Sequence, residues 1–375
     1  MTTAIDILWA SPWLLCIGLV LFVVAPALVA IEQTAPYSFK PYRWPSKIWS
    51  VDEIPNLTGK VALVTGANGG IGVETCVELV RNGAQVFMGC RSEEKFQKAR
   101  NTIDKLLDER GPARDNRKKG QVLYFECDVS SLALAKKAAT VFLAHPQAKR
   151  LDVAYFCAGA PSTWGARPLS EDGIDLIMAT NCTNQLAMLD ELYPLIKKTS
   201  RHSASSCRII FISSNTEFWA NLRWPLGVEP TFNSWKDVND PRRSENARYA
   251  QSKLAQALLA RKLSSDLSNE NIACLALHPG EIDNDFVHRM LPWTQYNRYL
   301  AAIIKAILID SRQGALTGLF AATAKEVDEK RLSGQFLTYP ATIIQPSAFA
   351  RNDVLGRKAW ELQMDLIQGR NLPRC

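Results

Sequence analysis

The sequence predicts an α/β fold: one doubly wound domain with a parallel seven-stranded sheet, preceded by an N-terminal transmembrane helix. Three features indicate it. Short apolar runs alternate with segments of helical periodicity from residue 61 onward, a glycine-rich turn follows the first run, and a long uncharged stretch lies near the N-terminus. Strands that alternate with helices form a parallel sheet with both faces covered, and ligands bind at the carboxyl ends of its strands.

The N-terminal stretch Ile7–Ile31 contains no charged residue and is bounded by Asp6 and Glu32. At ~1.5 Å rise per residue, a helix of this length exceeds the ~30 Å hydrocarbon core of a bilayer. A cleaved signal peptide is the alternative, but it requires a basic n-region and a shorter apolar core. Residues 1–6 contain no basic side chain. We therefore expect residues 1–32 to be a retained membrane anchor.

The stretch after the anchor contains Lys40, Arg43 and Lys47. Lys and Arg are enriched on the cytoplasmic side of membrane spans, so the rest of the chain is expected to face the cytosol. The membrane expected is the endoplasmic reticulum or one related to lipid droplets. Residues 33–57 are a connector, which its prolines make stiff and non-helical.

The predicted domain spans residues 58–340 and is followed by a C-terminal tail, residues 341–375. Its strands are expected at Val61–Val64, Ala84–Gly89, Gln121–Glu126, Asp152–Cys157, Arg208–Ser213, Ile272–Leu277 and Gly334–Thr338. Besides the helix that follows the glycine-rich turn, helices are expected at Glu94–Arg110, Leu132–Leu143, Asp172–Lys198 and Ala247–Asp266. In the tail, helical periodicity appears only at Lys358–Ile367.

The composition is that of a globular protein, with 47% hydrophobic and 22% charged residues. The net charge of +7 comes partly from the basic loop at residues 114–119, which indicates a solvated surface rather than a nucleic-acid site. The nine cysteines are scattered without a C-x-x-C motif, and the four histidines lack metal-ligand spacing. We therefore expect neither a disulfide framework nor a metal site.

The glycine-rich turn has the form T-G-x-x-x-G-x-G, with Gly66, Gly70 and Gly72 between a buried strand and a helix. Glycines in this context permit a tight turn, allow the backbone to approach a pyrophosphate and bring helix against strand. The turn, with Asn68 and Ile71, is therefore predicted to bind a dinucleotide.

Arg91 follows the second predicted strand, where an enzyme that selects NAD places an acidic residue for the ribose hydroxyls. A guanidinium suits a 2′-phosphate because it is planar, always charged and donates two hydrogen bonds. The alternative is a surface arginine that begins a loop, with Glu93 and Glu94 close by. We interpret Arg91 as the residue that binds the 2′-phosphate, so the cofactor expected is NADP(H).

Tyr249 and Lys253 are four residues apart and share one face of a predicted helix. A fixed ammonium beside a phenol, together with an oxidised nicotinamide, lowers the phenol pKa from about 10 towards neutral pH. An ordinary amphipathic helix gives the same pair, so the interpretation depends on the glycine-rich turn upstream.

Further motifs follow in a fixed order. They are Asp128-Val129, Cys157-Ala158-Gly159, Asn181, Ser213-Ser214 and His278-Pro279-Gly280. With the glycine-rich turn and the Tyr249/Lys253 pair, the chain resembles the classical-type short-chain dehydrogenase/reductase family over about Leu57–Thr338. It is most similar in style to the retinol-dehydrogenase and WW-domain-oxidoreductase-like branch. The resemblance implies a Rossmann domain, a nicotinamide cofactor and oxidoreductase activity.

The resemblance also implies a catalytic tetrad. Tyr249 would be the proton donor in reduction, and Lys253 would bind the nicotinamide ribose. Ser214 would hydrogen-bond the carbonyl oxygen, with Ser213 as the alternative. Asn181 would hold a water that links Lys253 to solvent, with Asn184 as the competing asparagine.

On the cofactor side, the resemblance assigns Asp128 to the adenine amino group and Val129 to the ring, although Asp128 could equally cap the next helix. Ala158 and Gly159 would line the nicotinamide ribose. The remaining contacts would come from the turn after the sixth strand, with Pro279, Gly280 and Ile282. The family usually has two asparagines before Ala158, but this chain has Phe156-Cys157, so the central strands need another brace.

The long interval between Ser214 and Tyr249 is rich in aromatic residues. We interpret it as a wall over an apolar substrate pocket, the alternative being a structural flap. The apolar, basic and aromatic stretch Phe286–Ile309 fits either an interfacial segment or a core helix.

We therefore expect a membrane-anchored, NADP(H)-dependent oxidoreductase of a lipophilic alcohol or carbonyl, of retinoid, steroid, lipid or terpenoid type. Nucleic acid and metal are not expected as partners, and a homodimer is the assembly considered. The alternatives are a nucleotide-sugar epimerase or dehydratase on the same fold and a non-enzymatic dinucleotide-sensing scaffold.

Overall fold

The computed structural model describes residues 48–112, 118–161, 168–221, 229–283 and 308–368, together with Leu372. Its strands are β1 Val61–Thr65, β2 Gln85–Cys90, β3 Gln121–Glu126, β4 Val153–Phe156, β5 Cys207–Ile212, β6 Ile272–His278, β7 Phe336–Thr338 and β8 Thr342–Ile344. The predicted anchor and most of Phe286–Ile309 lie outside these residues. Within the described ranges, no helix is both long and apolar enough to span a bilayer.

The strands form one sheet in the order β3-β2-β1-β4-β5-β6-β7-β8. Strands β1 to β7 pair in parallel, whereas β8 is antiparallel to β7. The prediction of seven strands is therefore wrong by one. Strand β8 has only three residues, and its central Ile343 is 45% exposed. It is therefore too short to show the alternation of apolar and polar residues by which a strand is predicted from sequence. The strand order reverses at β1 and β4, which places the ligand crevice at their carboxyl ends.

The main helices are α1 Gly70–Arg81, α2 Glu93–Arg110, α3 Leu132–Ala144, α4 Asn184–Ser200, α5 Glu245–Asp266, α6 Ser311–Thr323 and α7 Asp353–Ile367. Short helical turns lie at Val51–Glu53, Leu176–Met178, Asn215–Asn221, Trp235–Val238 and Glu326–Glu329.

The helix predicted at Asp172–Lys198 is divided into three parts, so its predicted start is wrong. The Asp175 side chain accepts hydrogen bonds from the amides of Ile177 and Met178, and helical structure therefore begins only at Leu176. A π-helical segment, Ala179–Thr183, then leads into α4. π-Helical turns are rare and are frequent at functional sites.

Side chains from alternate strand positions enter two separate cores. On one face, Leu63 belongs to the core with α3, α4, α5 and α7. On the other face, Val64 belongs to the core with α1, α2 and α6. Both faces of the sheet are therefore covered, as a parallel sheet requires.

Residues outside the predicted domain limits of 58 and 340 also pack into these cores. Ile54 is 1% exposed, and the Trp49 ring meets the Phe320 ring edge-on at 5.6 Å. In the tail, Trp360 of α7 is 2% exposed and lies under the Lys262 ammonium of α5. The tail helix thus covers part of the helix that contains Tyr249.

Candidate active site

The glycine-rich turn connects β1 to α1 at the centre of the carboxyl edge. Gly66 has a φ of +62°, and a Cβ there would lie 2.8 Å from Ala158 Cα. A Cβ on Gly72 would lie 2.5 Å from the Gly66 carbonyl oxygen. Neither position accepts a side chain, because the backbone segments approach too closely.

The N-terminus of α1 suits an anionic ligand. Its N-cap, Gly69, provides no side-chain hydrogen bond, and a Cβ there would meet nothing within 4 Å. Uncapped amides at the start of a helix attract negative charge, and a pyrophosphate can meet them here. Exposed Asn68 and half-buried Ile71 flank this opening. The residues present therefore fit a dinucleotide.

Thr65 and Gln185 brace the central strands, where the usual asparagines are missing. The Thr65 hydroxyl accepts hydrogen bonds from the amides of Cys157 and Ala158, both at 3.0 Å, and donates to Gln185 Oε1 at 3.0 Å. Gln185 Nε2 donates in turn to the Ala158 carbonyl at 2.8 Å. This network holds the Ala158-Gly159 segment beside Gly66. The sequence interpretation anticipated the need for a brace but not these two residues.

On the adenine side, the structure separates the two roles considered for Asp128. Ser131, rather than Asp128, is the N-cap of α3, so the capping alternative is wrong. Asp128 instead accepts the Ser130 amide at 2.9 Å, in a local turn after β3. The carbonyl of the next residue, Val129, accepts Asn184 Nδ2 at 2.8 Å. Asn184 is thereby engaged in holding this loop.

Arg91 is exposed, directly after the buried Cys90 that ends β2. Gly89 of β2 is in register with Thr65 of β1. Arg91 therefore emerges at the same edge of the sheet as the glycine-rich turn.

The turn after β6 lies on the other side of the glycine-rich turn. Pro279 is buried, and Gly280 has a φ of +99°, a backbone conformation that favours glycine, with Ile309 Cδ1 2.5 Å from where a Cβ would lie. Ile282 is 3% exposed, and its side chain approaches Gly314, which also lies close to Ile71. The structure thus brings the predicted nicotinamide-side residues close to the start of α1.

The Ser214 side chain lies close enough to the Tyr249 phenol to lower its pKa, and the Ser214 hydroxyl accepts the Thr216 amide at 3.2 Å. Ser214 and Tyr249 are 8% and 6% exposed. Ser213 instead donates to the Lys253 backbone carbonyl at 2.7 Å. The structure therefore places Ser214 beside the phenol and gives Ser213 a bracing contact to α5.

Lys253 is 4% exposed, and its Nζ lies 5.4 Å from the centroid of the Tyr249 ring. The ammonium donates to the Ile212 carbonyl at 2.7 Å and to Gln256 Oε1 at 3.1 Å. Burial lowers the pKa of Lys253 to about 8. An ammonium held in this way is ready to donate its third N–H to a ligand.

The expected lowering of the phenol pKa does not come from the protein groups. Burial raises the pKa of Tyr249 well above its ordinary value, and Glu281 raises it further, whereas the neighbouring Ser214 side chain lowers it. Desolvation is the largest effect because the phenol is enclosed. The positive charge of an oxidised nicotinamide would act in the opposite direction.

Asn181 lies in the π-helical segment and is fully buried. Its Oδ1 accepts the Ala160 amide at 2.6 Å, and its Nδ2 donates to Ser252 Oγ at 3.0 Å. Its backbone carbonyl accepts Gln256 Nε2 at 2.6 Å. Gln256 thus stands between Asn181 and the Lys253 ammonium, where the resemblance implied a water.

Gln256 was missed in the sequence interpretation, although its spacing gave a signal. It follows Lys253 by three residues and therefore shares its helix face.

A phenol with a hydroxyl partner, next to a fixed ammonium, is suited to transfer a proton to or from a bound oxygen. In the described part of the chain, no group of His, Cys, Asp or Glu is arranged to hold a metal.

Comparisons with known proteins agree with this arrangement. The sequence model for short chain dehydrogenase matches residues 60–226. The short chain dehydrogenase/reductase dpchH of Colletotrichum higginsianum is 31% identical, over 86% of this chain and 78% of its own length. Human dehydrogenase/reductase SDR family member 13 is 30% identical, over 82% of this chain and 72% of its own length.

Solved structures share the fold. An uncharacterised protein of Mycobacterium paratuberculosis superposes with a TM-score of 0.61 at 21% identity, covering 88% of this chain and 100% of its own. The Pseudomonas aeruginosa RhlG/NADP active-site complex gives a TM-score of 0.55 at 21% identity, covering 79% and 98%. The chain therefore belongs to the short-chain dehydrogenase/reductase family, as its motifs predict, and is an enzyme of that class.

Proposed function

We propose that this protein is a membrane-anchored, NADP(H)-dependent oxidoreductase that moves a hydride between the nicotinamide and a lipophilic alcohol or carbonyl. The observation that carries the proposal is the buried group of Ser214, Tyr249 and Lys253, in which the Lys253 ammonium lies 5.4 Å from the centroid of the Tyr249 ring. It lies at the carboxyl edge of the sheet, where the glycine-rich turn also lies.

The dinucleotide, when bound, supplies the hydride. In reduction, Ser214 hydrogen-bonds the carbonyl oxygen and holds it against the Tyr249 hydroxyl. Tyr249 then donates its proton to the oxygen as negative charge develops there. In oxidation, the same phenol accepts the proton of the alcohol. Lys253 binds the nicotinamide ribose through the N–H that Ile212 and Gln256 leave for a ligand.

The NADP(H) preference rests on Arg91. This side chain is exposed at the same edge of the sheet as the glycine-rich turn, and it makes no ion pair with any described residue. A guanidinium in this position can pair with a 2′-phosphate through two charge-assisted hydrogen bonds. The structural neighbour RhlG is titled as a complex with NADP.

The lipophilic substrate and the membrane are supported by the sequence. Phe218 lies in the helical turn directly after Ser214 and packs against the core, and Phe232 is 2% exposed within that core. These two contacts favour the structural alternative for both residues. The uncharged Ile7–Ile31 would keep the enzyme at the bilayer, where lipophilic substrates concentrate.

An assay of NADPH oxidation in the membrane fraction tests the proposal. Aldehydes and ketones of increasing chain length are compared, with NADH in parallel reactions. We expect turnover with NADPH that improves with substrate hydrophobicity. A nucleotide-sugar epimerase would cause no net oxidation, and a scaffold would bind NADPH without turnover. Either result would overturn the proposed reaction.

A further inference from the structure

We infer that Gln256 is a positioning residue, which holds the Lys253 ammonium and joins it through its side-chain amide to the Asn181 carbonyl. This inference rests on the proposed function, since Lys253 acts there on the cofactor.

The geometry fixes the orientation of the Gln256 amide. Its Oε1 accepts from Lys253 Nζ at 3.1 Å, and its Nε2 donates to the Asn181 carbonyl at 2.6 Å. The side chain is fully buried. The reverse orientation would set the NH₂ group against the ammonium and the amide oxygen against a carbonyl, with no hydrogen bond at either end. Both functions of the amide are therefore used.

The charge on Lys253 depends on this contact because its other neighbours are neutral. The titratable groups that face it are Tyr249 of α5, Cys157 after β4, Cys182 of the π-helical segment and His278 at the end of β6, with Glu281 beyond His278. Burial raises the pKa of both thiols to about 12 and lowers the pKa of His278. Among the described residues, Lys253 forms no salt bridge, so two neutral oxygens stabilise its charge.

An amide cannot relay a proton in this position, since it does not titrate near neutral pH. The hydrogen-bonded chain from Lys253 through Gln256 to Asn181 is therefore a brace and not a proton path. Asn181 contributes by fixing Gln256, and Gln256 contributes by fixing Lys253.

Two substitutions test the inference because they shift the pKa of the Lys253 ammonium in opposite directions. Gln256→Leu removes the acceptor and leaves a buried charge less stabilised, so the pKa of Lys253 falls. Gln256→Glu supplies a carboxylate to the same nitrogen, so the pKa rises. The readout is NADPH affinity by fluorescence titration from neutral to alkaline pH. We expect the pH at which NADPH affinity is lost to be lower in Gln256→Leu and higher in Gln256→Glu than in the wild type, by roughly one pH unit each.

The matched control is Asn82→Leu. Asn82 is also buried, at 3% exposure, but it lies at the end of α1, where its amide donates to the Glu78 carbonyl at 2.8 Å. This control should keep the wild-type pH profile. If Gln256 had a merely structural role, both of its variants would bind NADPH more weakly at every pH. The pH at which affinity is lost would then not move in opposite directions.

Shifts in one direction, or no shift in either variant, would overturn the inference. Should Gln256→Leu fail to fold, Gln256→Glu decides the matter alone, since an unchanged profile contradicts the inference and an upward shift supports it. The binding readout needs no substrate. Opposite shifts in a protein that reduces no carbonyl would therefore support the positioning role while refuting the proposed reaction.

Discussion

Arg248 and Asp175 form an ion pair in which each side chain is only 4% exposed. Asp175 also caps the short turn Leu176–Met178, which leads into the segment containing Asn181. Arg248 directly precedes Tyr249 on α5. The ion pair therefore fixes the chain segment of Asn181 against the helix that carries Tyr249.

The substitution Asp175→Asn should destabilise the protein strongly. It keeps an oxygen that can cap the turn but removes the carboxylate charge from the buried ion pair with Arg248, at a cost of about 3–5 kcal/mol in the free energy of unfolding. Urea denaturation measures this. The control is Asp353→Asn, which removes the exposed pair with Arg261 and should cost less than about 1 kcal/mol. Equal losses of unfolding free energy in the two variants would show that the buried ion pair stabilises the protein no more than the exposed one.

Arg91→Asp should weaken NADPH binding by about 10- to 100-fold and leave NADH binding nearly unchanged. The reason is the loss of charge-assisted hydrogen bonds worth about 1.5–3 kcal/mol. Fluorescence titration with both dinucleotides measures the effect. Lys98→Asp makes the same charge change at an exposed position on α2 and should spare both affinities. Similar losses of NADPH and NADH affinity would refute the NADP(H) proposal.

Glu217 makes stability depend on pH. It is fully buried, and its carboxylate accepts the amide of Ser347 at 2.8 Å as well as the Ser347 hydroxyl. Burial raises its pKa from 4.5 to about 7, while the hydrogen bonds from Ser347 act the other way. The folded state therefore binds this proton more tightly than the unfolded state. The stability that this proton gives is present below about pH 4.5 and is lost as the pH rises through about 7.

The free energy of unfolding should fall by about 3 kcal/mol over that window in the wild type relative to Glu217→Gln. Denaturant titrations at pH 5 and pH 8 make the comparison. Glu329→Gln, at a carboxylate 57% exposed, should behave as the wild type. The same pH dependence in Glu217→Gln would show that another group is responsible.

Deletion of residues 1–32 should release the protein from membranes and preserve NADPH binding. The glycine-rich turn and its bracing residues all lie beyond the deletion. Washing membranes at high salt provides the control, because salt screens a basic surface contact but does not extract a spanning helix. Release of the full-length protein by salt alone would refute the anchor.

The fold class and the site motifs could be predicted from the sequence because both depend on local patterns. The predicted family is confirmed, and seven of the eight strands lie within about two residues of their predicted limits. Strand β8, helix α6 and the first five residues of α7 were missed. Each depends on packing against elements distant in sequence: β8 pairs with the edge of the sheet, and α7 lies against α5.

A second tyrosine–lysine pair shows where spacing alone fails. Tyr193 and Lys197 of α4 have the same separation as Tyr249 and Lys253, and the Lys197 ammonium lies 5.8 Å from the Tyr193 ring centroid. Lys197 is 35% exposed, however, and pairs with Glu270. In the structure, the burial of the lysine and contacts such as that of Gln256 with Lys253 distinguish the two pairs. The burial of Lys253 depends on segments that are distant in the sequence, so a local sequence pattern cannot predict it.

The central claim, that Tyr249 is the proton donor, is tested most directly by a matched pair of substitutions. Tyr249→Phe and Tyr193→Phe each remove one hydroxyl beside a lysine four residues along a helix. The measurement is the rate of NADPH oxidation with a lipophilic aldehyde, alongside NADPH affinity. We expect Tyr249→Phe to lose ~10²–10⁴ in rate with affinity preserved, and Tyr193→Phe to turn over as the wild type. More than about a tenth of the activity remaining in Tyr249→Phe would contradict the account.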